Sequence, residues 1–195
     1  NSQYTDKNYH ELLIRWFQWG AFNPIFRVHG YMSETEPWKY GQLVEEMIRE
    51  VLHWRYQFIP YIYSEAWQIT KNGSTIMRPL VMDFGNDPNA INQPYEFMFG
   101  HSLLIAPIVE AGARKREVYL PQSVNWFNFW TGESIEGGRN VTVDAPLNKI
   151  PLFVKAGSII PIGPVVQHTN GYPSDTLEIR IYEGADGTFT LYEDE

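Results

Sequence analysis

The 195-residue sequence contains no cysteine, which excludes disulfides, thiol nucleophiles and cysteine-bound zinc sites. It is also poor in positive charge, with 15 lysines and arginines against 23 aspartates and glutamates and a formal net charge of −8. This balance argues against nucleic acid as a partner, because nucleic acids bind basic faces. No apolar run reaches the ~18 residues that a membrane span needs, and no charged-then-apolar secretory signal opens the chain. We therefore expect neither a nucleic-acid partner nor a membrane span.

The motifs that hold cofactors and metal ions are missing as well. The sequence has no phosphate loop and no Gly-x-Ser-x-Gly motif. Its five histidines lack metal-ligand spacing, and Asp186, Asp194 and Glu195 provide too few oxygen ligands for a calcium site. We expect no cofactor and no metal. The compartment stays open, since many secreted proteins also lack cysteine. A periplasmic or secreted location is favoured.

The first part of the chain is rich in helical patterns. Apolar residues at helical spacing predict one helix over residues 9–19 and a second over residues 41–54. Pro60 is expected to break the second helix, and helical spacing resumes over residues 61–69. Residues 25–28 and 76–84 have the composition of two short buried strands. Helices that alternate with apolar strands are typical of a parallel barrel or a doubly wound sheet.

Arg27 and His29 are the candidate site residues. They lie at the end of the first predicted strand, and Gly30 then allows the chain to turn. Alternate residues of a strand face the same side, so the two side chains share a side. Ligands bind at the C-terminal ends of the strands in a parallel barrel. From spacing alone the alternative is equally open, with Arg27 in a barrel-interior ion pair and His29 a capped core histidine.

The character of the sequence changes after residue 85. Glycine, asparagine and proline cluster over residues 85–94 and predict a connector; we interpret Asp83, just before it, as a loop cap for Gly85 and Asn86. A short helical turn is predicted over residues 95–99. Short strands separated by turn signals follow, and they indicate a β-sandwich or barrel. They are predicted over residues 102–109, 116–120, 126–129, 140–143, 150–154, 158–160, 177–182 and 188–192, with residues 184–187 as the turn of a final hairpin. We divide the chain into residues 1–86 and residues 87–195, with the start of a further segment near residues 175–195.

The same residues resemble a known family. The stretch over residues 11–22, Arg27-Val28-His29-Gly30, and Glu36-Pro37-Trp38 are similar to the family 31 glycoside hydrolases, which are retaining α-glucosidases and α-xylosidases. Further similar stretches follow in the same order, and they are Pro60-Tyr61-Ile62-Tyr63, Met77-Arg78-Pro79-Leu80, and residues 99–107, 118–121, 130–132, 151–161 and 182–195. The resemblance spans nearly the whole chain.

The resemblance implies a fold and a reaction. The fold would be the last two β/α units of a (β/α)8 barrel followed by an antiparallel β-sandwich. The reaction would be exo-acting removal of α-linked xylose or glucose from a non-reducing end, and the loop over residues 32–38 favours an α-xylosidase acting on xyloglucan-type oligosaccharides. In this family the nucleophile and the acid/base are aspartates on earlier barrel strands. Both would precede Asn1, so we expect an internal segment that is inactive alone and has the rest of the same polypeptide as its partner.

The resemblance also assigns roles to the candidate residues. His29 would hydrogen-bond hydroxyls of the sugar in the cleaved subsite, and Arg27 would lie beside the catalytic carboxylates and favour their ionised form. Retaining hydrolysis needs two carboxyl groups roughly 5 Å apart, and Glu34 with Glu36 is the nearest candidate within the chain. We assign no catalytic residue to this chain. The alternative function is a non-catalytic sugar-binding or structural β-sandwich module.

Overall fold

The computed structural model describes residues 2–31, 34–171 and 176–194. Its helices are α1 (Lys7–Gly20), α2 (Gln42–Gln57), α3 (Ile59–Asn72), α4 (Leu80–Asp83) and α5 (Pro88–Ile91), with short 3-10 helices at Ser2–Tyr4, Pro37–Tyr40 and Thr169–Gly171. Within these ranges, no helix combines the length and apolar character that crossing a membrane requires.

Ten short strands form antiparallel sheets. They are β1 (Met77–Pro79), β2 (Phe97–Phe99), β3 (Leu103–Ile105), β4 (Lys115–Leu120), β5 (Asn125–Asn128), β6 (Ser134–Glu136), β7 (Arg139–Asp144), β8 (Leu152–Lys155), β9 (Ile159–Ile162) and β10 (Glu178–Ile181). Six of them make one sheet in the order β1-β2-β3-β8-β5-β6. Two-stranded ribbons, β4 with β7 and β9 with β10, complete the strand pairing of the described residues.

The three helices predicted in the first part of the chain are confirmed, with small shifts at the ends. Asp6 caps α1, because its carboxylate accepts the backbone N–H of Asn8 at 2.9 Å. The predicted break is also present, since α2 ends at Gln57 and α3 begins two residues later. Pro60 lies in the first turn of α3, where the N–H that proline lacks would have no helical partner.

Residues 25–28 form no strand, and the strand predicted over residues 76–84 is confirmed only at β1. Residues 25–28 pair with no described strand, and a strand exists only where a neighbour supplies its backbone hydrogen bonds. Residues 76–84 divide into β1, which pairs antiparallel with β2, and helix α4. Pro79 is the last residue of β1, because it has no N–H to extend the ladder.

Two predictions in the second part are also wrong. The expected helical turn at residues 95–99 is strand β2, and residues 188–192 form no strand. The final hairpin is absent because β10 pairs with β9 instead. Strand β6 lies in a stretch for which no strand was predicted. The other predicted strands are confirmed as β3, β4, β5, β7, β8, β9 and β10, with shifted ends.

The six-stranded sheet separates two apolar cores. Leu103 and Ile105 of β3 join the cluster that α1, α2 and α3 build against one face. Leu104, between them, joins the cluster that contains Val118 and Leu120 of β4 on the other face. The alternation follows from the period of two along a strand. Burial of each side chain of this size contributes roughly 1.5–3 kcal/mol to the stability of the fold. The sheet therefore packs against the helices on one face and against the β4–β7 ribbon on the other.

Candidate functional site

Arg27 and His29 lie together on an exposed segment that follows helix α1. Ala21 and Phe22 are buried where the chain leaves the helix, and residues 27–30 are exposed. The structure therefore places both predicted residues at the surface of the described chain, two positions apart. Neither side chain is buried among the described residues, so His29 is not a capped core histidine there.

The base of this segment is held by Arg55 of α2. The guanidinium Nη1 donates to the carbonyl oxygens of Ala21 and Asn23 at 2.8 Å each, and Nη2 donates to that of Pro24 at 3.2 Å. Burial lowers the pKa of Arg55, but a guanidinium titrates so far above neutrality that the group remains charged. The approach to Arg27 is thus fixed by a helix, whereas residues 27–30 extend beyond that support.

In the loop after the segment, Glu34 forms local contacts. The Glu34 carboxylate lies 2.6 Å from Nζ of Lys39, and the hydrogen bond between them raises the pKa of Lys39. The hydroxyls of Tyr4 and Tyr40 donate to the carbonyl oxygen of Glu34 at 3.0 and 3.3 Å. Glu36 precedes the 3-10 helix. Glu34 therefore forms an ion pair with Lys39 within its own loop. Residues 32 and 33 of this loop lie outside the described residues.

Asp83 belongs to a charged cluster that the sequence did not reveal. Its carboxylate accepts two hydrogen bonds from Nε of Arg78, at 2.9 and 3.1 Å, and one from Nη2 at 2.9 Å. This pairing raises the pKa of Arg78. The expected role as a cap for the following loop is replaced by an ion pair. The same region holds Glu65 of α3 and His101, which are 36 residues apart in sequence and give no spacing signal.

A broad groove separates α1 from the edge of the sheet. It has a volume of about 1200 Å³, and its walls include Trp16 and Trp19 of α1 and Tyr95 opposite. Glu96 lines it and is buried, with Oε1 accepting the backbone N–H of Tyr119 at 3.0 Å. Burial raises the pKa of Glu96 to about 7, against the lowering effect of that hydrogen bond. The groove is mainly apolar and exposes side chains that globular proteins usually cover.

In chemical terms, the Arg27–His29 segment offers donors and an acceptor for a polar ligand. An imidazole both donates and accepts, and a guanidinium donates to oxygen atoms or stabilises an adjacent carboxylate. In the described part of the chain, no group of three or more histidine, aspartate and glutamate side chains is placed to hold a metal ion. Arg55, Glu34 and Lys39, which support this region, were not identified as such from the sequence.

Comparison with known proteins gives the family. Residues 3–65 match the sequence model of the glycosyl hydrolases family 31 TIM-barrel domain, and residues 73–160 match that of the glycosyl hydrolase family 31 C-terminal domain. The α-xylosidase of Saccharolobus solfataricus is 44% identical over 97% of this chain and 26% of its own length. Alpha-glucosidase 2 of Bacillus thermoamyloliquefaciens is 38% identical over 95% of this chain and 24% of its own.

A solved structure gives the same result. The crystal structure of a family 31 α-xylosidase from Xanthomonas citri superimposes with a TM-score of 0.91 at 42% identity, covering 96% of this chain and 21% of that one. This chain thus spans about a quarter of the length of the curated relatives it matches. Two models of one family, matching consecutive parts of the sequence, and relatives that cover nearly all of it lead to one conclusion: the chain belongs to glycosyl hydrolase family 31.

Proposed function

We propose that this chain is part of a retaining, exo-acting α-glycoside hydrolase and supplies His29 and Arg27 to its sugar-binding site. The observation that carries the proposal is the placement of both side chains on one exposed segment whose base is held by helix α2. An anchored base with an exposed tip suits a residue that must meet a ligand at a defined position. The sugar is an α-linked xylose or glucose at a non-reducing end, in line with the activities for which the relatives are named.

The roles of the two residues differ. The His29 imidazole hydrogen-bonds hydroxyls of the sugar in the cleaved subsite, with one nitrogen donating and the other accepting. The Arg27 guanidinium lies beside the catalytic carboxylates and keeps the nucleophile ionised. Hydrogen bonds to sugar hydroxyls that strengthen in the transition state supply several kcal/mol in glycosidases.

The two reacting carboxyl groups belong, in this proposal, to the larger part of the enzyme. Retaining hydrolysis needs a pair roughly 5 Å apart, one as nucleophile and one as acid and then base. Glu34, the nearest candidate of this chain, forms an ion pair with Lys39. A chain that spans about a quarter of its relatives leaves room for the pair elsewhere.

The same proposal assigns the architecture. Residues 1–86 belong to the last part of a (β/α)8 barrel and residues 87–195 to an antiparallel β-sandwich, with a further segment starting near residues 175–195. Helices α1 to α3 and the two layers of strands support this division, and β1 joins the parts by pairing with β2. In a complete barrel, residues 25–28 would gain strand neighbours from outside this chain.

The groove beside α1 supports the rest of the same polypeptide as a partner. Leu12 and Trp16 are 50% and 57% exposed on its wall, at a spacing of four residues on one helix face. Exposed apolar surface of this kind is normally covered. A covering segment from the remainder of the enzyme is consistent with the small share of the relatives' length that the chain spans.

The xylose preference rests on the loop that contains Glu34 and Trp38, and it is tested with paired substrates. The full-length enzyme is assayed on aryl α-xyloside and aryl α-glucoside and on xyloglucan oligosaccharides. We expect a higher kcat/KM for the xyloside. A clear preference for glucoside would assign the enzyme to the α-glucosidases, and no turnover of either would contradict the proposed function.

Replacing His29 tests the site itself. In the full-length enzyme, His29→Ala is expected to lower kcat/KM by about 100-fold or more, because several kcal/mol of transition-state stabilisation are lost. His53→Ala is the matched control, since His53 is exposed on α2. An unchanged kcat/KM in His29→Ala would remove His29 from the site.

Assays of the 195-residue chain alone and of the full-length enzyme distinguish the proposed function from the alternative, a non-catalytic sugar-binding or structural module. We expect no turnover, because the carboxylate pair is absent from it. The isolated chain is also expected to self-associate through its uncovered apolar helix face. Turnover by the chain alone would overturn the placement of the reacting carboxyl groups, and lack of activity in the full-length enzyme would favour the module.

A further inference from the structure

Arg55 makes an unusual set of contacts for a helical arginine. It pairs with backbone carbonyl oxygens, and all three belong to the four-residue stretch between Ala21 and Pro24. Hydrogen bonds with a charged donor are about twice as strong as neutral ones. Because the planar guanidinium has fixed donor directions, it can satisfy several carbonyls only in one arrangement of the chain.

Phe26 provides a second restraint, closer to the site. Its ring packs edge-on against Phe17 of α1, with 5.8 Å between ring centroids, and the Arg55 guanidinium carbon lies 6.0 Å from the Phe26 centroid. Gly20 makes room for this ring, since a Cβ there would lie 3.0 Å from two of its carbon atoms. His29 is the third residue after Phe26.

The contrast with Arg15 shows how local this restraint is. Arg15 of α1 also donates to several carbonyls, but they lie in the strand-rich part of the chain, at Ala113, Ala145, Pro146 and Lys149. Arg15 therefore joins α1 to the sheets. Arg55 joins α2 to residues 21–24, just before the predicted site, and donates to no described residue of the sheets.

We propose that Arg55 is a positioning residue that sets where the His29 imidazole meets the sugar. This inference rests on the proposed function of His29. Arg55 does not contact the substrate. It holds residues 21–24, where the chain leaves α1, and the packing of Phe26 on Phe17 extends that restraint towards His29. Misplacement of a binding group by about 1 Å can cost on the order of 100-fold in rate.

The test uses three variants of the full-length enzyme, assayed well below their unfolding temperatures. Arg55→Met keeps the length of the side chain but donates no hydrogen bond, and we expect kcat/KM to fall about 10- to 100-fold. The fall should come mainly from kcat, because the contact at issue strengthens in the transition state. Arg55→Lys can reach one carbonyl and is expected to be intermediate. Arg15→Met, the matched control, should lose stability yet keep kcat/KM within about twofold.

A double-mutant cycle with His29→Ala separates positioning from general damage. If Arg55 acts through His29, adding Arg55→Met to His29→Ala should lower kcat/KM clearly less than the same change does in the parent, the remaining loss coming from Arg27 on the same segment. A full additional loss in that background would overturn the inference. So would normal kinetics in Arg55→Met when His29→Ala is impaired. If His29→Ala itself is fully active, the proposed function fails, and the inference fails with it for that separate reason.

Discussion

The Nδ1 atom of His101 lies 2.8 Å from the Oε2 atom of Glu65, joining helix α3 to the turn between β2 and β3. The carboxylate is buried, whereas the imidazole is half-exposed. Tyr61, one turn before Glu65, donates its hydroxyl to the carbonyl oxygen of Phe99 at 2.9 Å. Two side chains of one helix therefore hold the same turn, and one of the two contacts depends on pH.

The His101–Glu65 contact should stabilise the turn most in mild acid. The hydrogen bond with Glu65 raises the pKa of His101, against opposing burial, while Arg78 lowers it and Asp83 raises it. A raised folded-state pKa contributes stability below the ordinary value near 6.5 and loses it as pH rises through the raised value. Because His101 is half-exposed, we expect about 0.5 kcal/mol.

Hydrogen exchange of the full-length enzyme measures this effect. Peptides covering residues 97–105 should be about twofold better protected in the parent than in His101→Gln at pH 5.5, and equally protected at pH 8.5. A difference that grows with pH would contradict the assignment of the contact.

Glu96 should destabilise the fold once its carboxyl group is ionised. Burial raises its pKa from 4.5 to about 7, so the folded state disfavours the charged carboxylate. Stability is then lost as pH rises from 4.5 to 7, by up to about 3 kcal/mol. Glu96→Gln, which keeps an acceptor for the Tyr119 N–H, should match the parent near pH 4.5 and raise the melting temperature at pH 8. A parent that is the more stable protein at pH 8 would show that Arg116, 3.9 Å away, compensates for the burial.

Arg15 should be the arginine on which stability depends most strongly. It is buried, and its loss removes the guanidinium donor from four carbonyl oxygens and from the Gln18 side chain. We expect Arg15→Met to cost at least about 3 kcal/mol, read as a clear drop in melting temperature. Arg49→Met is the control, because Arg49 forms only an exposed pair with Glu45 and should change stability by less than about 0.5 kcal/mol. Equal effects would be inconsistent with the buried network.

Gly187 should tolerate no side chain. A Cβ at this position would lie 1.7 Å from the carbonyl oxygen of Gly157, a backbone atom that cannot move aside alone. We expect Gly187→Ala to detach the chain that follows and to increase hydrogen exchange in residues 188–194. Gly112→Ala is the control, since a Cβ there meets nothing within 4 Å and costs only the strain of its φ of 75°, roughly 1 kcal/mol. Unchanged exchange in Gly187→Ala would show that the backbone contact between Gly157 and Gly187 opens enough to admit the methyl group.

The local signals in the sequence were reliable where the chain supplies its own partners. Helix α1 and the break at Pro60 follow from residues within a few positions of each other, because helical hydrogen bonds are local. Ribbon β4–β7 joins Lys115–Leu120 to Arg139–Asp144, where strands are predicted over residues 116–120 and 140–143. The pairing of β9 with β10 did not follow from pattern, since both strands have several possible neighbours.

The sequence pattern misled where burial came from another source. Residues 188–192 alternate as a strand does, yet Phe189 stacks on Tyr61 and Tyr192 stacks on Trp67, with ring centroids 5.8 and 5.0 Å apart. These two aromatic side chains, three residues apart, pack on helix α3 instead of on a sheet. Periodicity records which residues are buried, and it does not identify what buries them.

The family, the three long helices and most strands follow from the sequence alone, because each depends on neighbouring residues or on ordered motifs. Arg27 and His29 stay predicted site residues. The tertiary structure was needed to show that residues 25–28 pair with no described strand, that Asp83 pairs with Arg78, and that Arg55 holds residues 21–24. For Arg55, the reason is distance along the chain. Arg55 and the carbonyls it binds are 31 to 34 residues apart, and packing of α2 beside α1 brings them together.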